Sequence, residues 1–336
     1  MTPRGPAWLV GGACVLAGSL AGAIALGVAE LSVGQVLRVL SARAGLPVAP
    51  PTLLTDSIVW DLRLPRVLLA ALVGAGLAVC GAVLQALTRN PLADPYLLGI
   101  SGGASTGAVA VLVLGWGTGA AALSLGAFAG AIVAFGATLL LAGARWTQPG
   151  RIVLAGVAAG QLFSAVTSLV VVSQATLQNT RSITFWLLGS LAVASWPTVA
   201  LCAGVGAAGL LVCWASAPAL DAFSYGADVA QTLGFHPGRV RALLFTTTAL
   251  LAAVLVASSG AIGFVGLLVP HAARFLVGSR HRRLLPASAL TGAVFLVWAD
   301  TAARTAFAPQ EVPVGVVTAL VGVPAFALVL RRRPAT

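Results

Sequence analysis

The sequence predicts an all-α polytopic membrane protein with about ten transmembrane helices, and three observations carry that prediction. Of the 336 residues, 59% are hydrophobic and only 8% are charged, which is more apolar side chain than a water-soluble core can bury. The mean hydropathy is positive. Uncharged runs of about 18 residues or more recur along the chain, and each is long enough to cross a hydrocarbon layer of about 30 Å.

Ten uncharged runs, separated by glycine, proline or charge clusters, define the predicted spans. They cover approximately residues 8–29, 67–88, 96–114, 120–142, 152–172, 197–216, 242–259, 261–278, 284–302 and 312–330. The run from Pro95 to Ala144 is too long for one helix, and GWGTG at 115–119 supplies the hairpin that divides it. The apolar run after Arg4 is too long for a cleaved signal peptide, so we expect it to be the first span.

Arginine supplies all the fixed positive side-chain charge, with 19 arginines, no lysine and a formal net charge of +11. If ten spans follow a cytoplasmic N-terminus, the cytoplasmic loops hold 13 arginines against three aspartates, and the outer loops hold six arginines against five carboxylates. The positive-inside rule therefore predicts that both termini are cytoplasmic. This charge balance reflects topology and contact with anionic lipid, so we expect no nucleic-acid partner.

Residues with catalytic or metal-binding chemistry do not cluster in the sequence. The four cysteines lie in apolar spans without a CxxC pattern and the three histidines are scattered, so we expect no metal site and no catalytic site. Without lysine there is no GxxxxGK[ST] phosphate loop, so a partner would have to bind ATP. The span centres carry almost no ionisable groups, which argues against ion-coupled transport.

The block from Arg63 to Gly107 is the most informative part of the chain. It contains an uncharged run, the turn RNPLADP, whose two prolines forbid a continuous helix, and a span that opens with glycine and serine. This block resembles the FecCD-type, BtuC-like permease subunits of type II ABC importers for iron siderophores, haem or cobalamin. GAIGFVGLLVPHAAR at 260–274 and EVPVGVVTALVGVPAFALVL at 311–330 extend the resemblance over nearly the whole chain.

The resemblance implies one transmembrane permease domain, 1–336, with a cytoplasmic coupling loop at 216–241. We expect a short helix in this loop, with Asp228 near its start and Gly234 closing it. The positions that match the family's ATPase-coupling motif are Gly226, Ala230, Leu233 and Gly234. The alternative is an amphipathic connector without a partner.

Three arginines, Arg63, Arg66 and Arg304, lie at the predicted outer ends of spans. The resemblance implies that they form a basic rim for a substrate-binding protein, because the guanidinium fork donates two parallel hydrogen bonds to a carboxylate. The alternative is that they pair with Asp61 and Asp300 as interfacial anchors.

A gate and a pathway complete the set of implied sites. The gate residues are Asn90, Leu92, Pro149 and Gly150, although family relatives often place serine or threonine near the last two. The pathway-lining residues, on the fifth span, are Gln161, Ser164, Thr167 and Ser168. These four could instead donate hydrogen bonds to neighbouring helices, and that alternative stays open. Gly126/Gly130 and Gly156/Gly160 are helix-packing signals.

The sequence therefore predicts a non-catalytic permease subunit of an ATP-driven importer that moves a bulky metal chelate from periplasm to cytoplasm by alternating access. The resemblance implies a homodimer in the bacterial inner membrane, a periplasmic or lipid-anchored substrate-binding protein, and two ABC ATPase subunits that bind ATP and magnesium. We expect no cofactor on this chain. The alternative is an ion-coupled secondary transporter of the same size, and the identity of the chelate stays open.

Overall fold

Hydrogen bonding inside helices satisfies most of the backbone, as a chain surrounded by lipid requires. The computed structural model describes residues 7–27, 31–116, 119–174 and 176–331, and within these ranges it contains helices and no strand. The all-α prediction is therefore confirmed for the described part of the chain. The middle of the predicted hairpin, 117–118, lies outside the described residues, whereas its glycine ends, Gly115 and Gly119, have a positive φ.

The α-helices, in chain order, are α1 (Ala7–Ala25), α2 (Val33–Arg43), α3 (Leu53–Asp56), α4 (Leu64–Thr88), α5 (Ile100–Leu114), α6 (Ala120–Ala142), α7 (Pro149–Gln174), α8 (Leu177–Leu187), α9 (Trp196–Ala215), α10 (Ala217–Ser224), α11 (Ala227–Thr232), α12 (Pro237–Ser259), α13 (Val265–Val277), α14 (His281–Thr305) and α15 (Val314–Arg331). The ten predicted spans correspond to α1, α4, α5, α6, α7, α9, α12, α13, α14 and α15. Seven of these are long and apolar enough to cross a membrane, and α5, α13 and α15 are shorter apolar helices.

Helix boundaries differ from the predicted spans where glycine and proline set the local backbone. α5 begins four residues late, because Pro95–Leu98 forms a 3-10 turn and Gly99 takes a left-handed φ of 77°. α12 begins five residues early, at Pro237, since proline fits the first turn of a helix. The outer connections, for which no helix was predicted, contain α2, α8 and a π-helical segment, Ser57–Arg63.

α4 forms the centre of the fold, packed against α9, α12, α13 and α14. Glycines let these backbones touch. A Cβ at Gly74 would lie 2.2 Å from the Gly292 carbonyl oxygen in α14, and a Cβ at Gly81 would lie 1.8 Å from the Gly266 carbonyl oxygen in α13. Since lipid tails are as apolar as leucine, such close packing is a main source of helix association in a membrane.

Glycine also allows close backbone contact among α5, α6, α7 and the turn before α5. A Cβ at Gly130 would meet the Gly103 carbonyl oxygen at 2.2 Å, and a Cβ at Gly156 would meet the Leu97 carbonyl oxygen at 2.0 Å. Gly130 and Gly156 therefore serve packing, as their spacing predicted. Gly107 packs against α6 in the same way.

A non-helical stretch, 260–264, separates α12 from α13. Both backbone groups of Ile262, at its middle, bind Tyr96, whose hydroxyl donates to the Ile262 carbonyl and accepts from the Ile262 N–H, both at 2.7 Å. The stretch ends at Phe264, which has a φ of 69°, an unusual value for a bulky residue. Space for its ring comes from Gly322 in α15, where a Cβ would approach the ring at 2.7 Å. The Tyr96 hydroxyl thus stabilises the non-helical connection between α12 and α13.

Replacing Gly81 by valine should cost about 1–3 kcal/mol or more, because the new side chain overlaps a backbone carbonyl that cannot rotate away. Gly18→Val in α1 is the matched control, since a Cβ there meets nothing within 4 Å. Thermal unfolding of the purified variants in detergent measures the difference. Equal midpoints for the two variants would contradict the backbone contact.

Candidate functional site

The predicted coupling loop is built from two short helices of different character. α10 is anchored in the bundle, with Leu220 and Phe223 at 0% and 1% exposure. α11 follows Gly226, whose φ of 119° strains any other residue. Gly234, with a φ of 85°, lies just beyond the end of α11. The short helix predicted between Asp228 and Gly234 is confirmed.

Apolar side chains in and beside α11 are exposed. Tyr225, Val229 and Leu233 are 79%, 40% and 63% exposed, and Tyr225 and Leu233 lie just outside the two ends of the helix. We call these three residues the coupling face. Clustered apolar side chains exposed on a cytoplasmic loop are typical of a protein contact site. Sequence reasoning identified Leu233 and missed the other two.

Burial corrects one part of the coupling prediction. Ala230 is 0% exposed and belongs to the main hydrophobic core, so its side chain cannot touch a partner in this conformation. It instead seats α11 on the bundle. Of the other predicted coupling residues, Leu233 and Gly234 are exposed and Gly226 is half-buried. Their contact with an ATPase stays a prediction.

A cavity of about 490 Å³ lies between the coupling loop and the cytoplasmic ends of α4 and α7. Gly226 and Val229 line it from one side, and Arg89 and Pro149 line it from the other. A Cβ at Gly226 would stand 3.7 Å from the Arg89 guanidinium. The coupling loop and part of the predicted gate therefore share one space.

Hydrogen bonds between Asp221 and His281 connect the coupling loop to α14. The Asp221 carboxylate, in α10, accepts a hydrogen bond from the backbone N–H of His281 at 2.9 Å and lies 2.7 Å from His281 Nδ1. His281 is 3% exposed and is the first residue of α14. No local sequence pattern indicates this contact, because the two residues lie 60 positions apart. Movement of α10 is thereby linked to the start of α14.

The predicted gate residues lie on two turns. Asn90 Oδ1 accepts from the Leu92 N–H at 2.9 Å, and Leu92 is 48% exposed. At the start of α7, Pro149 is half-buried and Gly150 is exposed. Removal from water raises the pKa of the neighbouring Asp94 to about 6. The gate role of these residues stays a prediction.

A polar groove of about 350 Å³ runs between α5 and α7 and contains all four predicted pathway residues. Gln161, Ser164 and Ser168 are exposed. Thr167 is 6% exposed and shares a 2.8 Å hydrogen bond with Thr106 of α5, as the packing alternative expected. The groove residues also include Ser101, Gly102, Ser105, Gly160 and Leu187. This polar surface on apolar helices suits a water-filled path or a partner helix.

The three outer arginines donate hydrogen bonds to groups of the same chain. Arg66 donates to Asp300 at 3.0–3.1 Å and to Glu311 at 3.0–3.2 Å. Arg63 donates to the carbonyl oxygens of the last residues of α1, with Ile24 at 2.8 Å. Arg304 donates to the Ala23 carbonyl oxygen. Cations suit a helix C-terminus, whose last carbonyls lack partners within the helix.

These contacts correct the expectation that all three arginines project outward. Arg63 and Arg304 are 7% and 6% exposed, and the Arg66 side chain is 13% exposed. Asp300 is the partner that the alternative interpretation named for them, and it lies within 3.6 Å of Arg304 as well. Docking of a binding protein on these arginines stays a prediction, and it would require these internal bonds to open.

Comparison with known proteins shows that this chain is similar to permease proteins of import systems. Residues 14–332 match the model of the FecCD transport family. The cobalamin import system permease protein BtuC of Halobacterium salinarum is 43% identical over 82% of this chain and 74% of its own length. The iron(3+)-hydroxamate import system permease protein FhuB of Bacillus subtilis is 36% identical over 96% of this chain and 83% of its own length.

A solved structure shares the fold along nearly the entire chain. It is an inward-facing transporter assigned to the metal-chelate type of ABC transporters, and it superposes with a TM-score of 0.85 at 29% identity. The match covers 98% of this chain and 100% of that one. The predicted fold class is confirmed by this likeness.

Asp300→Asn should destabilise the protein by about 3–5 kcal/mol, because it leaves the buried Arg304 guanidinium without its anion and removes one of the two carboxylates that pair with Arg66. We expect a fall of roughly 5–10 °C in the unfolding midpoint in detergent. Asp56→Asn is the control, since it removes the more exposed Arg43–Asp56 pair and should have a much smaller effect. A fall in the control as large as that for Asp300→Asn would show that the buried network contributes nothing special.

Proposed function

Because the chain belongs to the FecCD transport family, we propose that it is the permease subunit of an ABC importer whose cargo is a bulky metal chelate. It is an integral protein of the cytoplasmic membrane, and its described residues contain seven long and three shorter apolar helices. The observation that carries the proposal is the coupling face, an apolar surface presented on the cytoplasmic side beside the predicted gate.

We propose that two copies of the chain form the pathway at their interface. The polar groove supports this arrangement, because serine and glutamine side chains exposed on α7 are costly toward lipid tails and suit an aqueous path. Hydroxyl and amide groups offer many weak contacts and no fixed charge. Such a lining would let a large solute pass without tight binding.

ATP and magnesium would be bound by two partner ATPase subunits, since this chain has no lysine and hence no phosphate loop. The coupling face would dock on the ATPase, and Asp221 would transmit the displacement of α10 to His281 at the start of α14. Conformations open inward and outward would thereby exchange as the ATPases bind and hydrolyse ATP. A substrate-binding protein on the outer side would deliver the cargo.

The names of the relatives support a metal chelate as the cargo. They do not select one chelate, because they refer to several chemical classes. One is named for cobalamin import and another for iron(3+)-hydroxamate, and a third, from Bacillus subtilis, is named an Fe(3+)-citrate import permease and is 40% identical over 82% of this chain. We place ferric siderophores and haem first, with cobalamin as the other candidate. All are larger than the ions that narrow channels pass.

Purification of the tagged chain from its own membranes, followed by assays of ATPase activity and uptake in proteoliposomes, tests the proposal. We expect a co-eluting ATPase with vanadate-sensitive turnover and ATP-dependent uptake of a chelate. A chain without an ATPase partner whose uptake is abolished by a proton ionophore would instead be a secondary transporter.

Leu233→Asp should release the ATPase, because it places a charge in the apolar coupling face while leaving the bundle untouched. We expect at least a tenfold loss of co-purified ATPase and of transport. Gln231→Asp, at an exposed position two residues earlier in α11, is the matched control. Leu233 is a better position than Gly234, whose φ of 85° strains any side chain. Full ATPase retention in Leu233→Asp would refute the assignment.

A further inference from the structure

An apolar groove on the lipid side of the bundle lies between α1, α13 and α14. Its volume is about 430 Å³. The lining is almost wholly apolar and consists of Trp8, Gly11, Gly12, Val15, Leu276, Val277, Ala287, Leu290, Thr291 and Val294. Two glycines make the space. A Cβ at Gly11 would meet nothing within 4 Å, so α1 has no side chain on that part of the wall.

The groove has the depth of one leaflet's acyl chains. Its α14 residues lie between Ala287 and Val294, which is about 6–16 Å along the helix from Arg283 at a rise of 1.5 Å per residue. Half of a hydrocarbon core is about 15 Å thick. The charge distribution places the start of α14 at the cytoplasmic surface, so the groove opens into the inner leaflet.

Cations stand at the headgroup end of the groove. Arg283 precedes Ala287 by one helical turn and therefore shares its face of α14. Arg280 caps the same helix, and Arg282 is adjacent, with its guanidinium over the Trp214 ring. Within the described ranges, neither Arg280 nor Arg283 lies within 4 Å of a carboxylate oxygen. One carboxylate, that of Asp221, lies at this end and is bonded to His281, so three arginines stand against a single acidic side chain.

We infer that this groove binds one anionic phospholipid of the inner leaflet, with an acyl chain along Gly11 and Leu290 and the phosphate at Arg280 and Arg283. Charge complementarity selects this occupant. An arginine fork donates bidentately to phosphate oxygens, and the net positive end favours a headgroup without a compensating amine. Trp8, half-buried at the mouth, suits the interface between headgroups and chains.

The full chain, purified in mild detergent, tests the site with two defined probes, dioleoyl phosphatidylglycerol and dioleoyl phosphatidylcholine. Native mass spectrometry counts the retained lipids, and the unfolding midpoint gives a second readout. The wild-type chain should retain one phosphatidylglycerol with at least a tenfold preference over phosphatidylcholine. The double variant Arg280→Gln/Arg283→Gln should lose that preference. Arg239→Gln, an exposed cytoplasmic arginine at the start of α12, is the control and should keep it.

Gly11→Leu separates this groove from general contact with the bilayer. The substitution fills open space, so the protein should fold and lose the retained lipid. Gly18→Leu, in the same helix and outside the groove, should retain it. Tight phosphatidylglycerol binding that survives Gly11→Leu, or a preference unchanged by loss of both arginines, would overturn the inference. So would a groove filled by a second copy of the chain in crosslinked samples.

Discussion

Direct contact between backbones at the centre of the bundle is the constraint on which the rest of the structure depends. Gly74 and Gly81 bring α4 against the carbonyls of α14 and α13, so close steric fit between backbones fixes the position of the central helix. Hydrophobicity cannot supply this order, because lipid and side chain are equally apolar in the membrane. With α4 fixed, the RNPLADP turn that follows it is placed beside the 260–264 interruption, and Tyr96 can reach Ile262. The predicted gate turn and the interrupted helix pair are thus positioned by the same packing.

Charge is handled differently at the two faces. On the outer side Arg63, Arg66 and Arg304 are committed to carboxylates and to the open carbonyls at the end of α1, so their role in this conformation is to hold three distant segments together. On the cytoplasmic side arginines lie at a cavity and at a helix start, next to the surfaces that we propose for the ATPase and for a lipid. The arginines of the outer side therefore stabilise the fold through internal bonds. The arginines at the cytoplasmic cavity and helix start are free of such bonds to a greater extent and can contact other molecules.

Hydropathy predicted the ten spans because length and composition decide whether a helix crosses a membrane. It did not predict α2, α8 or α10, which are short and take their stability from neighbours. Arg66 was identifiable as a functional candidate, yet its partner Asp300 lies 234 residues away and no local pattern connects them. For Ala230 and Leu233, spacing selected the right segment, but only the docking of α11 decides that one faces the core and the other faces water.

The space between Gly226, Val229, Arg89 and Pro149 has a thermodynamic consequence of its own. It is open to the surface, since Tyr225 and Val229 in its lining are 79% and 40% exposed. A conformation in which the coupling loop closes onto α4 and α7 would release water from this space. Osmolytes that are excluded from protein surfaces should favour that conformation, which makes the balance between the transporter's states sensitive to osmotic stress.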